Sequence, residues 1–232
     1  MVISGLQKLT LLDFPGHTAC TVFTPGCNWR CPFCHNAALV LRPKGQPELD
    51  MEAFFAFLQK RRGLLDGVAV TGGEPTLHAD LPDFLRRVRD AGFQVKLDTN
   101  GTNPRMLRSI LREGLADYVA MDIKAGRENY PAVTGTLRPG LPAVEESAAL
   151  LMEGDLPFEF RTTVVKELHS AEDFQDIAVW LRGEEPYFLQ GFKDSGDNIS
   201  DGYSACSPQE MEAFRTILTP FIPRTEIRGM DL

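Results

Sequence analysis

The chain lacks the long apolar segment that a membrane span requires. No run of about 18 apolar residues occurs anywhere in its 232 residues, so no part of it is expected to cross a bilayer. The N-terminus also lacks a basic segment followed by an apolar core, which indicates a cytoplasmic protein. Lys and Arg total 24 against 32 Asp and Glu, and the resulting net charge of −8 argues against nonspecific binding of nucleic acid.

Cysteine is scarce, and three of the five cysteines lie within eight residues. Cys27, Cys31 and Cys34 are spaced C-x3-C-x2-C, with no fourth cysteine nearby. Without a secretion signal, such a group favours a metal ion or a cluster over disulfides. A [4Fe–4S] cube ordinarily takes four thiolates, so three would leave one iron open to another ligand. Cys20 and Cys206 stand alone, and Cys20 is expected in the core.

Structural zinc is the alternative for this site, with His35 completing a Cys3His set. Because His35 directly follows Cys34, the two side chains would rarely both reach one small tetrahedral ion. A second motif disfavours zinc further. Residues 68–71 have the pattern of a short apolar strand, and the Gly-Gly-Glu-Pro of residues 72–75 follows it. Two glycines let a backbone approach a ligand closely, and a carboxylate beside them suits a cationic amine.

The two motifs together resemble those of the radical S-adenosylmethionine (radical SAM) superfamily, which pairs C-x3-C-x-aromatic-C with a downstream Gly-Gly-Glu-Pro. The resemblance covers nearly the whole chain. Residues 5–16 and the Cys-His-Asn of residues 34–36 are similar to one branch, the activating enzymes of glycyl radical enzymes. Within that branch the chain is most similar to the short activating proteins of anaerobic ribonucleoside-triphosphate reductase, and less similar to pyruvate formate-lyase activating enzyme.

Strand and helix patterns alternate along the chain, which predicts a parallel sheet with helical crossovers. Eight such units usually need about 250 residues, so six units with generous loops fit this length better. We therefore expect an α/β fold, an open partial (β/α)6 TIM-like barrel, in one domain over residues 1–232 with a short N-terminal extension, residues 1–17. Residues 126–141 are expected to be irregular, and Asp80 to cap the helix that follows it. The six predicted strands are 19–24, 67–71, 94–99, 118–123, 158–165 and 187–192.

Polar residues follow the ends of these strands. Because the C-terminal strand ends form the active face in barrels of parallel strands, residues from five loops are expected to converge on one mouth. The resemblance implies that this mouth holds S-adenosylmethionine (SAM), whose amine and carboxylate would chelate the open iron. Gly72, Gly73 and Glu74 would hold the amine. Lys124 and Arg161 would meet the carboxylate, since both are cations.

Further residues are assigned to the same ligand. Phe33 would lie against the adenine, and Asp98 and Asp122 could hold ribose hydroxyls or the amine, with an ordinary turn as the alternative for Asp98. In the pyruvate formate-lyase activator the matching aspartates help to bind a monovalent cation. That activator also carries a histidine near the end of the sixth strand. Residues 187–192 contain none, so Gln190 is the polar group available on that side.

The resemblance implies a reaction in three steps. One electron passes from the reduced cluster to SAM, methionine and a 5′-deoxyadenosyl radical form, and this radical removes a hydrogen atom from a glycine Cα of a partner glycyl radical enzyme. A flavodoxin- or ferredoxin-type protein would supply the electron. No lid domain follows the sixth unit, so a protein substrate could close the site, and the free enzyme is expected to be a monomer. Asp13, in the Asp-Phe-Pro-Gly of residues 13–16, is the candidate for gripping the partner's glycine loop, with a simple turn as the alternative.

Two other functions stay open at this point. A radical SAM enzyme that acts on a small molecule or a peptide would keep every cofactor motif and differ only at the mouth. A non-enzymatic zinc or electron-transfer protein would need the cysteines but neither Glu74 nor Lys124.

The cysteine spacing generates the first prediction. Protein reconstituted without oxygen should hold about four irons and four sulfides, as a [4Fe–4S] site requires. Substituting Cys27, Cys31 or Cys34 by alanine should abolish this cluster, whereas Cys20→Ala and Cys206→Ala should leave it intact. Iron and sulfide analysis measures the outcome. Stoichiometric zinc without sulfide in the native protein would contradict the assignment.

Overall fold

In the described part of the chain, the strands form one eight-stranded sheet, and their spatial order follows the sequence. The computed structural model describes residues 1–194 and 196–230; Ser195 and residues 231–232, which the predicted domain includes, lie outside the described residues. The strands are β1 (Gly5–Thr10), β2 (Ala19–Thr24), β3 (Gly67–Gly72), β4 (Gln94–Thr99), β5 (Tyr118–Asp122), β6 (Phe158–Val164), β7 (Tyr187–Gly191) and β8 (Thr225–Arg228).

Strands β2 to β8 run parallel, and β1 is antiparallel to β2. The expected open, parallel partial barrel is confirmed, and β2 to β7 match the six predicted strands to within one residue at each end. The sequence prediction missed β1 and β8. Both are edge strands that pair on one side only, and β1 exposes three of its six residues, so neither has the apolar pattern of a buried strand.

Helices cover the outer face of the sheet between the parallel strands. In α3, the buried Leu81, Phe84, Leu85 and Val88 recur at helical spacing and form one apolar face. The helices are α1 (Ala37–Leu41), α2 (Met51–Lys60), α3 (Leu81–Asp90), α4 (Pro104–Arg112), α5 (Tyr130–Thr134), α6 (Leu141–Met152), α7 (Ala171–Trp180) and α8 (Pro208–Leu218). None of the helices in the described parts of the chain has both the length and the apolar character of a membrane-spanning helix.

Two local predictions are wrong. Asp80 makes no capping hydrogen bond to α3, because its carboxylate pairs with the N-terminal ammonium of Met1 instead. Residues 126–141 are not irregular throughout. They contain a 3₁₀ helix (Arg127–Asn129) followed by α5, which is only five residues long and is therefore too short to show a helical period.

The inner face of the sheet is polar, unlike its outer face. Successive residues of a strand face opposite sides, so Val95 and Leu97 pack in the hydrophobic core while Lys96 and Asp98 face the barrel interior. Lys96 is 2% exposed and Asp98 is 9% exposed. Since buried charges are costly unless they are paired, this interior indicates a built polar site rather than a second apolar core.

Candidate functional site

A pocket of about 200 Å³ opens at the C-terminal ends of the parallel strands. Its walls come from the cysteine loop (residues 25–36), which follows β2, and from the ends of β3 to β7. The structure brings together here all but one of the predicted site residues, namely Cys27, Cys31, Phe33, Cys34, Gly72, Gly73, Glu74, Asp98, Asp122, Lys124, Arg161 and Gln190.

Asp13 is the predicted residue that the structure does not bring to this pocket. Its carboxylate accepts a hydrogen bond of 2.5 Å from the Thr21 hydroxyl, in the first half of β2. Three residues of strand separate Thr21 from the cysteine loop, which is about 10 Å. The neighbouring Phe14 is buried against Gly67, the first residue of β3. The Asp-Phe-Pro-Gly stretch therefore lies toward the floor of the barrel, not at its mouth.

The cysteine loop presents its thiols to the pocket in a polar setting. The Trp29 backbone N–H donates to Cys27 Sγ at 3.4 Å, and the Asn100 amide nitrogen lies 3.9 Å from the same sulfur. Burial raises the pKa of the Cys27 thiol to about 11 and that of Cys31 to about 12, although Lys124 opposes the rise. Because cluster ligands are thiolates, loading would have to displace these protons.

Within residues 1–194 and 196–230, no group of three or more His, Cys, Asp or Glu side chains is arranged to hold one metal ion. A tetrahedral zinc ion requires its ligands to converge on a single point. A cube offers a different iron to each thiolate, so its ligands can stand farther apart. A preformed site for a single ion is thus not seen among the described residues.

The Gly-Gly-Glu-Pro motif packs directly on the cysteine loop. The Gly73 N–H donates to Thr24 O and the Glu74 N–H donates to Gly26 O, both at 2.8 Å. A Cβ atom on Gly73 would lie 1.9 Å from Gly26 O, so no other residue fits there. The Asn36 side-chain amide adds a third hydrogen bond between the two segments by donating to Gly72 O at 2.9 Å. These glycines were predicted to admit a ligand; the close approach seen here is between two segments of backbone.

Glu74 is buried, and most of its hydrogen-bonding capacity is used within the protein. Its Oε1 accepts from the Thr76 N–H, the Thr76 hydroxyl and the Thr99 hydroxyl at 2.6–3.0 Å, and its Oε2 accepts from the Asn100 N–H at 2.6 Å. Burial raises the pKa of Glu74, although these hydrogen bonds oppose the shift. A carboxylate has about four lone-pair sites, so Oε2 retains room for one further donor. Glu74 joins the loops after β3 and β4 and can offer an amine one acceptor at most.

A chain of alternating charges crosses strands β4, β5 and β6 beneath the pocket. We call it the charge chain: Lys96, Asp98, Arg161, Asp122 and Lys124, in order of contact. Lys96 pairs with Asp98, and Arg161 bridges Asp98 at 3.0 Å and Asp122 at 2.5 Å. Lys124 Nζ ends the chain at 2.9 Å from Asp122. Each carboxylate oxygen of the two aspartates thus already contacts a cation, so a monovalent metal ion there would compete with these side chains.

The pairing favours the charged forms of four members of the charge chain, namely Asp98, Asp122, Lys124 and Arg161. Burial alone would raise the pKa of Asp122, but Arg161 and Lys124 outweigh it and hold that pKa well below the usual range. The pKa of Asp98 is lowered for the same reason, by Arg161 and Lys96. Conversely, Asp122 raises the pKa of Lys124 against the effect of burial. Three cations face two carboxylates, so the chain carries one excess positive charge beside the pocket and favours an anionic ligand.

The pocket also contains residues that the sequence analysis did not assign to the ligand. His35, expected only as an alternative metal ligand, stacks on Phe192 with ring centroids 5.6 Å apart and lines the pocket beside Gln190. His35 thus lies near β7, the strand whose predicted range, residues 187–192, contains no histidine. Only the Cys-His-Asn motif pointed to it. Other unassigned lining residues are Trp29, Asn36, Val40, Thr71, Thr99, Asn100 and Thr163.

Comparison with known sequences identifies the family of this site. The sequence profile of the Radical SAM superfamily matches residues 21–181, which contain all three clustered cysteines and the whole charge chain. The chain belongs to the radical SAM superfamily.

Two relatives illustrate the range of its similarities. A Methanocaldococcus jannaschii protein, provisionally named a glycyl-radical enzyme activating enzyme, is 29% identical over 99% of this chain and 97% of its own length. The 7-carboxy-7-deazaguanine synthase of Methanopyrus kandleri is 32% identical over 81% of this chain and 79% of its own length. Among solved structures, a domain of the pyruvate formate-lyase activating enzyme of Bacteroides vulgatus has a TM-score of 0.55 at 20% identity, over 70% of this chain and 99% of that chain. This last likeness shows a shared fold.

This radical SAM protein takes a [4Fe–4S] cluster and SAM as cofactors, and the residues present fit both. Cys27, Cys31 and Cys34 would hold the cluster, and the Trp29 and Asn100 donors lie near a sulfur, where hydrogen bonds tune such clusters. The cationic side chains of Lys124 and Arg161, which line the same pocket, would receive the SAM carboxylate.

The packing of the two motifs generates the second prediction. Gly73→Ala should lower the free energy of unfolding by about 1–3 kcal/mol, because the added Cβ would overlap the backbone oxygen of Gly26, which cannot move aside. It should also reduce cluster loading, since the displaced segment leads into Cys27. Gly45→Ala is the matched control, because a Cβ there meets nothing within 4 Å. Denaturant unfolding and iron content measure both effects. Equal free energies of unfolding and equal iron contents in the two variants would show that the contact between Gly73 and Gly26 is dispensable.

Proposed function

We propose that this radical SAM enzyme activates a glycyl radical enzyme of the class that the sequence resemblance favours, anaerobic ribonucleoside-triphosphate reductase. The observation that carries the proposal is the match over 99% of the chain to a relative provisionally named for this activity, which extends well beyond the cofactor motifs. A similarity limited to cofactor binding would be concentrated in residues 21–181. In this proposal residues 1–232 form one radical SAM domain.

The chain's own residues prepare the cofactor site. Cys27, Cys31 and Cys34 would hold the cluster, which when bound and reduced would provide the one-electron chemistry that cleaves SAM to methionine and a radical able to abstract hydrogen. The three cysteines hold the cluster at the mouth, and the docked Gly-Gly-Glu-Pro motif fixes their loop. Lys124, with Arg161 behind it, neutralises the SAM carboxylate, while Phe33 and Gln190 line the side left for the nucleoside. Because the charge chain is preformed, little reorganisation accompanies SAM binding.

The mouth of the barrel provides a surface for a protein substrate. Leu137 is 94% exposed on the segment between α5 and α6. That segment is tied to the cysteine loop, since the Trp29 indole N–H donates to Pro139 O at 3.0 Å and the Arg30 N–H donates to Thr134 O at 2.9 Å. A partner that docks on this segment would therefore touch an element that contacts the cysteine loop directly. The partner would complete the enclosure of the site, and a flavodoxin- or ferredoxin-type protein would reduce the cluster of the monomeric enzyme.

Action on a small molecule is the second candidate. It is favoured by the 32% identity to 7-carboxy-7-deazaguanine synthase, a relative that covers less of this chain than the first. The two functions share the cofactor site and differ in what closes its mouth, so turnover without any protein partner would favour the second candidate.

The assignment of the SAM carboxylate generates the third prediction. Lys124→Ala should weaken SAM binding by about 1.5–3 kcal/mol, the scale of a hydrogen bond to a charged group, while the cluster remains loaded. Lys166→Ala is the control, because Lys166 pairs with Glu210 on an exposed surface away from the pocket. Calorimetric titration of cluster-loaded protein measures the affinity. An unchanged affinity in Lys124→Ala would mean that the carboxylate binds elsewhere.

The proposed substrate generates the fourth prediction. Mixed without oxygen with its partner, SAM and a strong one-electron reductant, the protein should generate a carbon radical on the partner. Electron paramagnetic resonance should show a doublet, split by the one remaining α-hydrogen, and deuterium from glycine Cα should appear in 5′-deoxyadenosine. Changing that glycine of the partner to alanine should remove the signal but preserve docking. Robust turnover of a small metabolite, with no radical on any candidate partner, would refute the activating role.

A further inference from the structure

The backbone of Lys124 is held by side chains and not by the sheet. The β5–β6 ladder ends one residue earlier, where the Ile123 N–H donates to Arg161 O at 2.9 Å. Beyond it, the Lys124 N–H donates to the Tyr130 hydroxyl at 3.1 Å, and His169 Nε2 lies 2.8 Å from Lys124 O. Tyr130 is fully buried, and His169 is 7% exposed. Both polar groups of this peptide are therefore satisfied by groups that solvent barely reaches.

The contacts of His169 determine which of its nitrogens carries a proton. Lys124 O can only accept a hydrogen bond, so Nε2 must be protonated and must donate to it. On the other side of the ring, the Val165 N–H donates to Nδ1 at 3.0 Å, which requires Nδ1 to be an acceptor. Although Val165 O lies 3.1 Å from Nδ1, a proton there would face the Val165 N–H. These contacts favour a ring that donates from Nε2 and accepts at Nδ1.

The ring is itself held firmly between two elements. It stacks on Phe174 of α7 with centroids 6.0 Å apart and an interplanar angle of 29°. The turn that carries it is closed by the His169 N–H, which donates to Val165 O at 3.0 Å. The Asn129 amide joins the same turn to the segment after Lys124 by donating to Leu168 O at 2.7 Å. His169 thus forms a rigid bridge from the end of β6 to the end of β5.

We propose that His169 is a positioning residue for the SAM site, acting through the Lys124 backbone. This inference rests on the proposed role of Lys124 in binding the SAM carboxylate. His169 lies outside the set of residues that line the pocket, so its effect passes through the peptide that it holds. Fixing that peptide places Nζ between Asp122 and the ligand before the ligand arrives. Without the bridge, ligand binding would also have to order Lys124.

Two substitutions separate this role from a general effect on the turn. In His169→Gln, the amide nitrogen can reach the position of Nε2 and donate to Lys124 O. In His169→Asn, the shorter side chain can place its oxygen near Nδ1 and accept from the Val165 N–H, but it cannot reach Lys124 O. We expect His169→Asn to weaken SAM binding about tenfold, the scale of one lost hydrogen bond, and His169→Gln to stay near wild type. Equal weakening in both variants, or none in His169→Asn, would overturn the proposal.

A double-variant cycle tests whether the effect passes through Lys124. In a Lys124→Ala background, His169→Asn should cause no further loss of SAM affinity, because the side chain that it positions is gone. Additive losses would show that His169 acts by another route and would overturn the inference. If Lys124→Ala leaves affinity unchanged while His169→Asn lowers it, the proposed carboxylate site and the inference both fail.

The hydrogen-bond geometry has an independent readout in cluster-free protein. Nuclear magnetic resonance of ¹⁵N-labelled histidine should show His169 with a proton bonded to Nε2 and none on Nδ1, at neutral pH and without any cofactor. A proton on Nδ1 would overturn the inference without affecting the proposed function. Failure of the cluster-loaded wild type to bind SAM, with the Nε2 tautomer intact, would instead refute the proposed function and, with it, the positioning role.

Discussion

The charge chain is the constraint on which the site depends. Its five side chains have exposures between 2% and 27%, and each is paired with an opposite charge. Removing one partner from such a buried set typically costs about 3–5 kcal/mol, because the other charge stays buried without compensation. The pairing depends on strand register, since Asp122 stands opposite Arg161 across β5 and β6. A slip of one residue in either strand would turn that strand's member of the pair to the outer face. The fold and the electrostatics of the pocket therefore specify each other.

The second constraint is the contact between two backbone segments. The Gly-Gly-Glu-Pro motif supports the cysteine loop through backbone hydrogen bonds and through the absence of a Cβ at Gly73. Glu74 extends the same support to the loop after β4. The motif thus supports the cysteine loop in addition to its expected role of holding the SAM amine. Binding of the cluster and binding of SAM share this one scaffold, so a change in either motif should disturb both.

Local sequence patterns and short motifs were sufficient to predict the central strands and most residues of the pocket. The strands β2 to β7 were recognisable because apolar, β-rich segments alternate with helical ones, and many residues that line the pocket were recognisable because they follow those strands. Lys96 was not recognised, since its pairing with Asp98 depends on its facing a buried barrel interior that no local pattern reveals. Asp13 was placed at the mouth by motif similarity alone, whereas the antiparallel return of β1 carries it toward the floor. His169 belongs to no motif, and only the folded chain brings it to Lys124.

The alternation of the charge chain bears on which group of SAM binds at its end. The chain runs cation, anion, cation, anion, cation, and it ends at Lys124 beside the clustered thiols. A carboxylate at Lys124 would continue the alternation and bring the charges to three of each sign. An amine at the same place would add a fourth cation to two carboxylates, which is unfavourable where water is scarce. The charges thus favour the carboxylate at Lys124, and the remaining site on Glu74 Oε2, which lines the same pocket, would suit the amine.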